Sequence, residues 1–157
     1  MKKLNSKLKK LALALFLLCN ILLAGCINVQ MAPHNSDVAA KKFVTDPVKA
    51  NIYITRTRKW WIADNFAMQA LIDGRVVGSL APNTFVMFSV LPGKHTVAIS
   101  IEGNVVQQRV DLNWGTNYFF EVKPFVGHFE LGLVPEEQGR QEVIKSKRAE
   151  GAVSIYD

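Results

Sequence analysis

Hydrophobic and polar positions follow two different rhythms along this 157-residue chain. The first 25 residues hold one long apolar run, "LALALFLLCNILLAG", interrupted only by Cys19 and Asn20. From Ala50 onward the apolar runs are short, and most alternate with polar residues. "ANIYITRT" sets Ile52 and Ile54 on one face and Tyr53 and Thr55 on the other. "KHTVAISI" opposes Val97, Ile99 and Ile101 to Thr96, Ala98 and Ser100, and "VVQQRVDL" opposes Val106, Val110 and Leu112 to Gln107, Arg109 and Asp111. A period of two predicts half-buried strands.

Turn residues punctuate these runs. "AMQALIDGRVVGSL" predicts two strands joined at Asp73-Gly74, because both residues tolerate the positive φ of a tight hairpin. "TFVMFSV" follows Pro82-Asn83, and Pro92-Gly93 predicts the next turn, with proline fixing φ and glycine supplying the left-handed position. Glu102-Gly103-Asn104 separates the two alternating strands, and "NYFFEV" and "HFELGLV" flank a turn at Val126-Gly127. Seven or eight strands with a turn about every ten residues predict an all-β fold, an antiparallel β-sandwich or barrel, with the sandwich expected here. The polar faces argue against a parallel sheet, whose strands are buried on both sides.

Two segments depart from the strand pattern. "EEQGRQEVIKSKR", residues 136–148, places acids first and bases last, as a helix dipole prefers, and predicts a short C-terminal helix resting on the domain. Gly139 counts against that helix by about 1 kcal/mol relative to alanine. Residues 27–47, "INVQMAPHNSDVAAKKFVTDP", have no sustained period and read as a flexible tether; the alternative is a short helix or an edge pairing over residues 38–44. The expected organisation is a leader over residues 1–25, a modified cysteine and tether over 26–47, and the sandwich with its helix over 48–157.

The leader opens "MKKLNSKLKK", five lysines and no acid, before its apolar run. A basic start and a short apolar stretch form the pattern of an export signal. The run is shorter than the roughly 20 residues of a comfortable membrane span, which weighs against a permanent anchor helix. Its end, Leu23-Ala24-Gly25-Cys26, resembles the lipobox of bacterial lipoproteins. That resemblance implies cleavage after Gly25 and a diacylglycerol on the Cys26 thiol, with further acylation of the new amino terminus in many bacteria. Each buried methylene contributes about 0.8 kcal/mol, so two or more chains anchor stably. Ile27, where an Asp would retain a lipoprotein at the inner membrane, implies the periplasmic face of the outer membrane.

Removing the leader changes the charge argument. The chain has 19 Lys and Arg against 13 Asp and Glu; five lysines lie in the leader, leaving fourteen bases against thirteen acids. The basic balance therefore belongs to the leader and gives no support for a nucleic-acid partner. Cys19 leaves with the leader and Cys26 carries lipid, so no disulfide is expected.

"NIYITRT", "ALIDGRVVGSLAPNTFVMFSVLPGKHTVAIS", "GTNYFFEV" and "PEEQGRQEV", in that order, resemble a family of bacterial lipoproteins labelled domain of unknown function 2846, over about residues 48–148. The hairpin and the Pro-Gly turn also resemble PEGA-type surface domains. These resemblances imply a small β module in the cell envelope and supply no catalytic residues.

Few motifs in the chain carry chemistry. His34, His95 and His128 form no HxH or HxxxH pair, so neither a metal site nor a cofactor is expected. There is no GxSxG elbow and no phosphate loop. Asp73 reads as a hairpin residue, His95 as a turn or rim residue, and Glu136-Glu137 as a helix start rather than an acid/base pair. Trp114 reads mainly as packing. "RTRKWWIADNF" is the distinctive stretch: Arg56, Arg58, Trp60 and Trp61 are candidate ligand-binding residues, because indole faces stack on sugars and guanidinium groups grip phosphates. The plainer alternative packs one Trp in the core and the other over an edge. The expected role is a non-enzymatic, lipid-anchored envelope protein that binds a protein or glycan. The alternative is a small hydrolase or transferase acting on envelope polymers, with its site assembled from residues distant in sequence.

Overall fold

The computed structural model describes residues 29–57, 66–125 and 127–151. Helix α1 spans His34–Ala40 and helix α2 spans Glu136–Lys145. The strands are β1 (Ala50–Arg56), β2 (Met68–Ile72), β3 (Arg75–Leu80), β4 (Thr84–Val90), β5 (Gly93–Ile101), β6 (Asn104–Leu112), β7 (Asn117–Pro124), β8 (Phe129–Val134) and β9 (Lys147–Arg148). They form a two-sheet sandwich: a five-stranded sheet ordered β8-β7-β1-β4-β9 and a four-stranded sheet ordered β3-β2-β5-β6. Among the described residues, no helix is long and apolar enough to cross a membrane.

The alternation read from sequence sets the inner faces. Ile52 and Ile54 of β1 meet Ala70 and Ile72 of β2, Val97 and Ile99 of β5, and Phe120 and Val122 of β7 in the core between the sheets. On β6 the expected outward residues Gln107, Arg109 and Asp111 are exposed, and Leu112 is buried. Asp73 and Gly74 take φ of 48° and 79° in the β2–β3 hairpin, which pairs Ile72 with Arg75. Positive φ at both central residues matches the right-handed twist of the flanking strands. Most pairings are antiparallel, but β1 runs parallel to β7 and β4 parallel to β9. Both parallel partners return to the five-stranded sheet only after the chain has passed elsewhere, as parallel pairing requires.

The outer face of the five-stranded sheet is where structure and expectation part. Tyr53 and Thr55, on the polar face of β1, are buried, and so is the whole strand. A second core lies there, built from Ala40, Phe43, Tyr53, Phe85, Phe119 and Val143. Helices α1 and α2 supply its cover. The segment expected as a tether therefore packs on the domain from residue 29 onward, with a helix at His34–Ala40 close to the alternative reading of a short helix. Phe43 holds a left-handed φ of 54°, and its ring is set against Tyr53 at 5.5 Å and Phe119 at 5.8 Å. Burying a ring of that size contributes about 2–3 kcal/mol, enough to offset roughly 1–2 kcal/mol of backbone strain.

Polar side chains of the sheet fasten the segment. Asn51 Nδ2 donates to the Val44 carbonyl at 3.0 Å and to Asn117 Oδ1 at 2.9 Å, while Asn117 Nδ2 donates to the Phe43 carbonyl at 2.9 Å. Ser89 Oγ donates to Asn51 Oδ1 at 2.7 Å, and the Tyr53 hydroxyl donates to the Ala40 carbonyl at 3.1 Å. Further toward the amino terminus, Met31 bridges to Ala149, and the Glu150 amide donates to the Gln30 carbonyl at 2.8 Å. Gly151 in turn bridges to Gly78 of β3, so residues 147–151 touch both sheets.

Candidate functional site

Arg56 ends β1, paired on one side with Thr84 and on the other with Val122. It is only 1% exposed. Its Nη1 donates to the Leu80 carbonyl at 3.0 Å and to the Phe66 carbonyl. The guanidinium thus ties together the end of β3 and the approach to β2. The sequence reading sets Arg56 in a surface cluster; the structure buries its side chain, with Nη1 bonded to two backbone carbonyls. The reason is parity: Arg56 follows Ile52 and Ile54 on the inward face of β1. Arg58, Trp60 and Trp61 lie outside the described residues, as do Gly25 and Cys26.

A buried carboxylate sits at the foot of the same stretch. Glu121 of β7 is 2% exposed. Its Oε1 accepts from Thr57 Oγ1 at 3.1 Å, and its Oε2 accepts from Gln138 Nε2 of α2 at 3.1 Å, with Lys123 Nζ at 3.6 Å. Sequence reading passed over Glu121 because "NYFFEV" reads as an ordinary strand. The available signal was a charge alternating with Phe119 on one face of a strand whose other face is Tyr118, Phe120 and Val122.

Asp73 and His95 come together although 22 residues separate them. His95 Nδ1 lies 2.7 Å from Asp73 Oδ2, Thr96 N donates to Asp73 Oδ1 at 2.8 Å, and His95 Nε2 lies 2.9 Å from the Leu91 carbonyl. A cleft of about 420 Å³ opens beside them, lined by Lys94, His95, Thr96, Arg109, Val110 and Asp111. A carboxylate-imidazole pair can serve as a general base only when the second ring nitrogen faces a substrate. Here that nitrogen is engaged by a backbone carbonyl, so the pair acts as a brace between the β2–β3 and β4–β5 turns. Glu136 and Glu137 open α2, as expected of a helix start.

A fourth polar cluster fastens α1. Asp37 accepts from Lys41 Nζ at 2.9 Å and from the Arg148 amide at 2.8 Å. Burial pushes its carboxyl up, and the bonds from Lys41 and Arg148, with the charges of Lys41 and His34, bring it below the usual range. Arg148 donates to the carbonyls of Ser36 and Met87, and burial lowers its pKa. Burial also pushes the Tyr53 phenol up to about 12, against the positive charges of Arg148 and Arg140. Among the described residues, no three His, Cys, Asp or Glu side chains gather as metal ligands would. Trp114 corrects the packing expectation: it is 69% exposed in the β6–β7 turn.

Comparison with known proteins bears out the resemblance to domain of unknown function 2846. An uncharacterized protein of Haemophilus influenzae is 28% identical over 133 residues, which cover 82% of this chain and 79% of that protein. A family profile described as Protein of unknown function (DUF2846) matches residues 47–132, from the approach to β1 through most of β8. That stretch is more than half of the chain and contains eight of the nine described strands in whole or part, and on this match the protein belongs to the DUF2846 family.

Proposed function

We propose that this protein is a lipid-anchored, non-enzymatic module of the cell envelope, carried on the periplasmic face of the outer membrane and binding a protein or a glycan. The observation that carries the reading is the order of the leader: basic residues, a short apolar run, then Leu23-Ala24-Gly25-Cys26, directly ahead of a folded β domain. Lipid on Cys26 gives the domain its membrane, and Ile27 directs it outward. The stretch from Arg58 to Trp61 is the binding element, rooted by the buried side chains of Arg56 and Glu121 at its foot. The engagement of both His95 ring nitrogens favours binding over hydrolysis at the cleft beside Asp73.

The test expresses the full chain in a two-membrane bacterium and analyses the mature amino terminus by mass spectrometry. The expected result is a terminus at Cys26 carrying diacylglycerol, recovered in the outer-membrane fraction. A Cys26→Ala chain should retain its leader and lose that fractionation. An intact Met1 terminus on the parent chain overturns the reading.

A further inference from the structure

Resting on the lipidation reading, we infer that the domain has no free tether and lies directly on the bilayer, with the end of the sandwich that carries Trp114 seated in the headgroups. The first support is chain length. Val29 is already packed against the core, and only residues 27 and 28 lie between it and Cys26. Three residues span at most about 10 Å. The headgroup layer on each side of a bilayer is roughly 5–8 Å deep, so even a fully extended linker lifts the domain no more than about 5 Å beyond it.

The second support is direction. Strand β9 runs parallel to β4, from the Thr84 level toward Val90. Ala32, Met31 and Gln30 run antiparallel along Arg148, Ala149 and Glu150. Traced back toward Cys26, the described chain therefore heads to the end of the sandwich where β4 finishes. That end holds the turn at residues 91–92, the β6–β7 turn and the approach to β1.

The third support is what that end exposes. Val44 is 71% exposed, Val48 58%, Leu91 50% and Trp114 69%. These positions adjoin one another: the Gly115 amide donates to the Lys49 carbonyl at 3.0 Å, and Ala50 pairs with Val90. Trp is the side chain best suited to the interface of a bilayer, with an apolar body and a polar N–H. Charges of both signs flank these positions along the chain, Lys42, Lys49, Arg75 and Lys94 with Asp46, Asp73 and Asp111. A zwitterionic surface fits that pattern, and insertion should persist at high salt.

The test uses the full chain, purified in its lipidated form and reconstituted into phosphatidylethanolamine–phosphatidylglycerol vesicles. Nitroxide labels go on Trp114→Cys or Val48→Cys at this end, and on Glu102→Cys or Phe125→Cys in the turns at the opposite end. The Val48 label leaves Trp114 in place. Collisions with a water-soluble nickel chelate should be roughly threefold rarer at 48 and 114 than at 102 and 125, in low and high salt alike. Equal, water-like accessibility at both ends overturns the inference, as does protection at 48 and 114 in intact cells that is missing in vesicles, which assigns the patch to a protein. Mass spectrometry of the same sample separates the two readings: acylated Cys26 with water-like labels overturns the seating alone, whereas a free Cys26 thiol overturns the anchor itself.

Discussion

Gly139 of α2 lies directly on Phe119 of β7, so close that a Cβ at position 139 would overlap the Phe119 Cβ and come within 2.7 Å of its ring carbon Cδ1. The contact seats α2 on the sheet and brings Val143 into the second core. Helix propensity alone says that Gly139→Ala gains about 1 kcal/mol. Packing says the opposite, because the neighbour is the root of a buried ring with no room to yield. Gly139→Ala should lower stability by about 1–3 kcal/mol, read as a shifted urea midpoint. A stabilised variant would show that α2 does not rest on Phe119.

The latch under the amino-terminal segment gives a second prediction. Asn51 bonds the Val44 carbonyl, Asn117 and Ser89 together. Asn51→Ala leaves three partners unmatched in or near the core and should cost about 2–3 kcal/mol. The local signature is more telling than the total. Amide exchange over residues 40–46 should quicken, while exchange in β5 and β6 follows global stability alone. Equal protection of 40–46 in variant and parent would mean that Phe43, not the latch, holds the segment.

What could be read from the chain, and what could not, divides by distance. Strand faces are written in neighbouring residues, so β5, β6 and the Asp73-Gly74 hairpin follow from a period of two and two turn residues. The second core is not written that way. Its cover comes from residues 29–47, which show no period, and from a helix with few apolar residues; both are held by single anchors such as Phe43 and by partners more than sixty residues away, as Phe43 and Asn117 are. A strand buried on both faces then looks half polar in sequence, because Tyr53 and Thr55 satisfy their hydroxyls with carbonyls that arrive from elsewhere. The exposures of Arg56 and Trp114 are not legible from residue type. A cation on an inward position looks like a surface residue until its carbonyl partners are known, and a Trp in a turn looks like core until nothing covers it.

Tyr53 makes the alkaline limit of the fold measurable. Its ordinary pKa of 10.0 rises to about 12 because burial disfavours the phenolate. A folded pKa above the unfolded one means that the stabilisation is complete below pH 10 and is lost as pH climbs through about 12. Tyr53→Phe removes the titrating group together with the bond to Ala40. The variant should be less stable than the parent by about 1 kcal/mol at pH 8, and the gap should shrink between pH 10 and 12. Denaturation midpoints at each pH decide the matter; a gap that widens over that range contradicts the burial of the phenol.

Arg56 separates a structural cation from a ligand-binding one. Its guanidinium joins the Phe66 and Leu80 carbonyls, and Met follows its stem as far as Nε without its donors. Arg56→Met therefore leaves the buried Leu80 carbonyl and the part-buried Phe66 carbonyl without this donor, at a cost on the order of 3 kcal/mol. Both carbonyls accept from the same Nη1, and Lys at this position restores a charge on a side chain one atom too short to reach that point, so it should recover only part of the loss. If Arg56 instead contacted a ligand, the two variants would keep parent stability and differ in affinity for envelope glycans. The distinguishing measurement pairs a thermal midpoint with glycan binding below that midpoint. Loss of stability with binding retained in the folded fraction is the expected pattern, and it would leave recognition to Arg58, Trp60 and Trp61. The opposite pattern would return Arg56 to the binding surface and require its carbonyl bonds to open when ligand arrives.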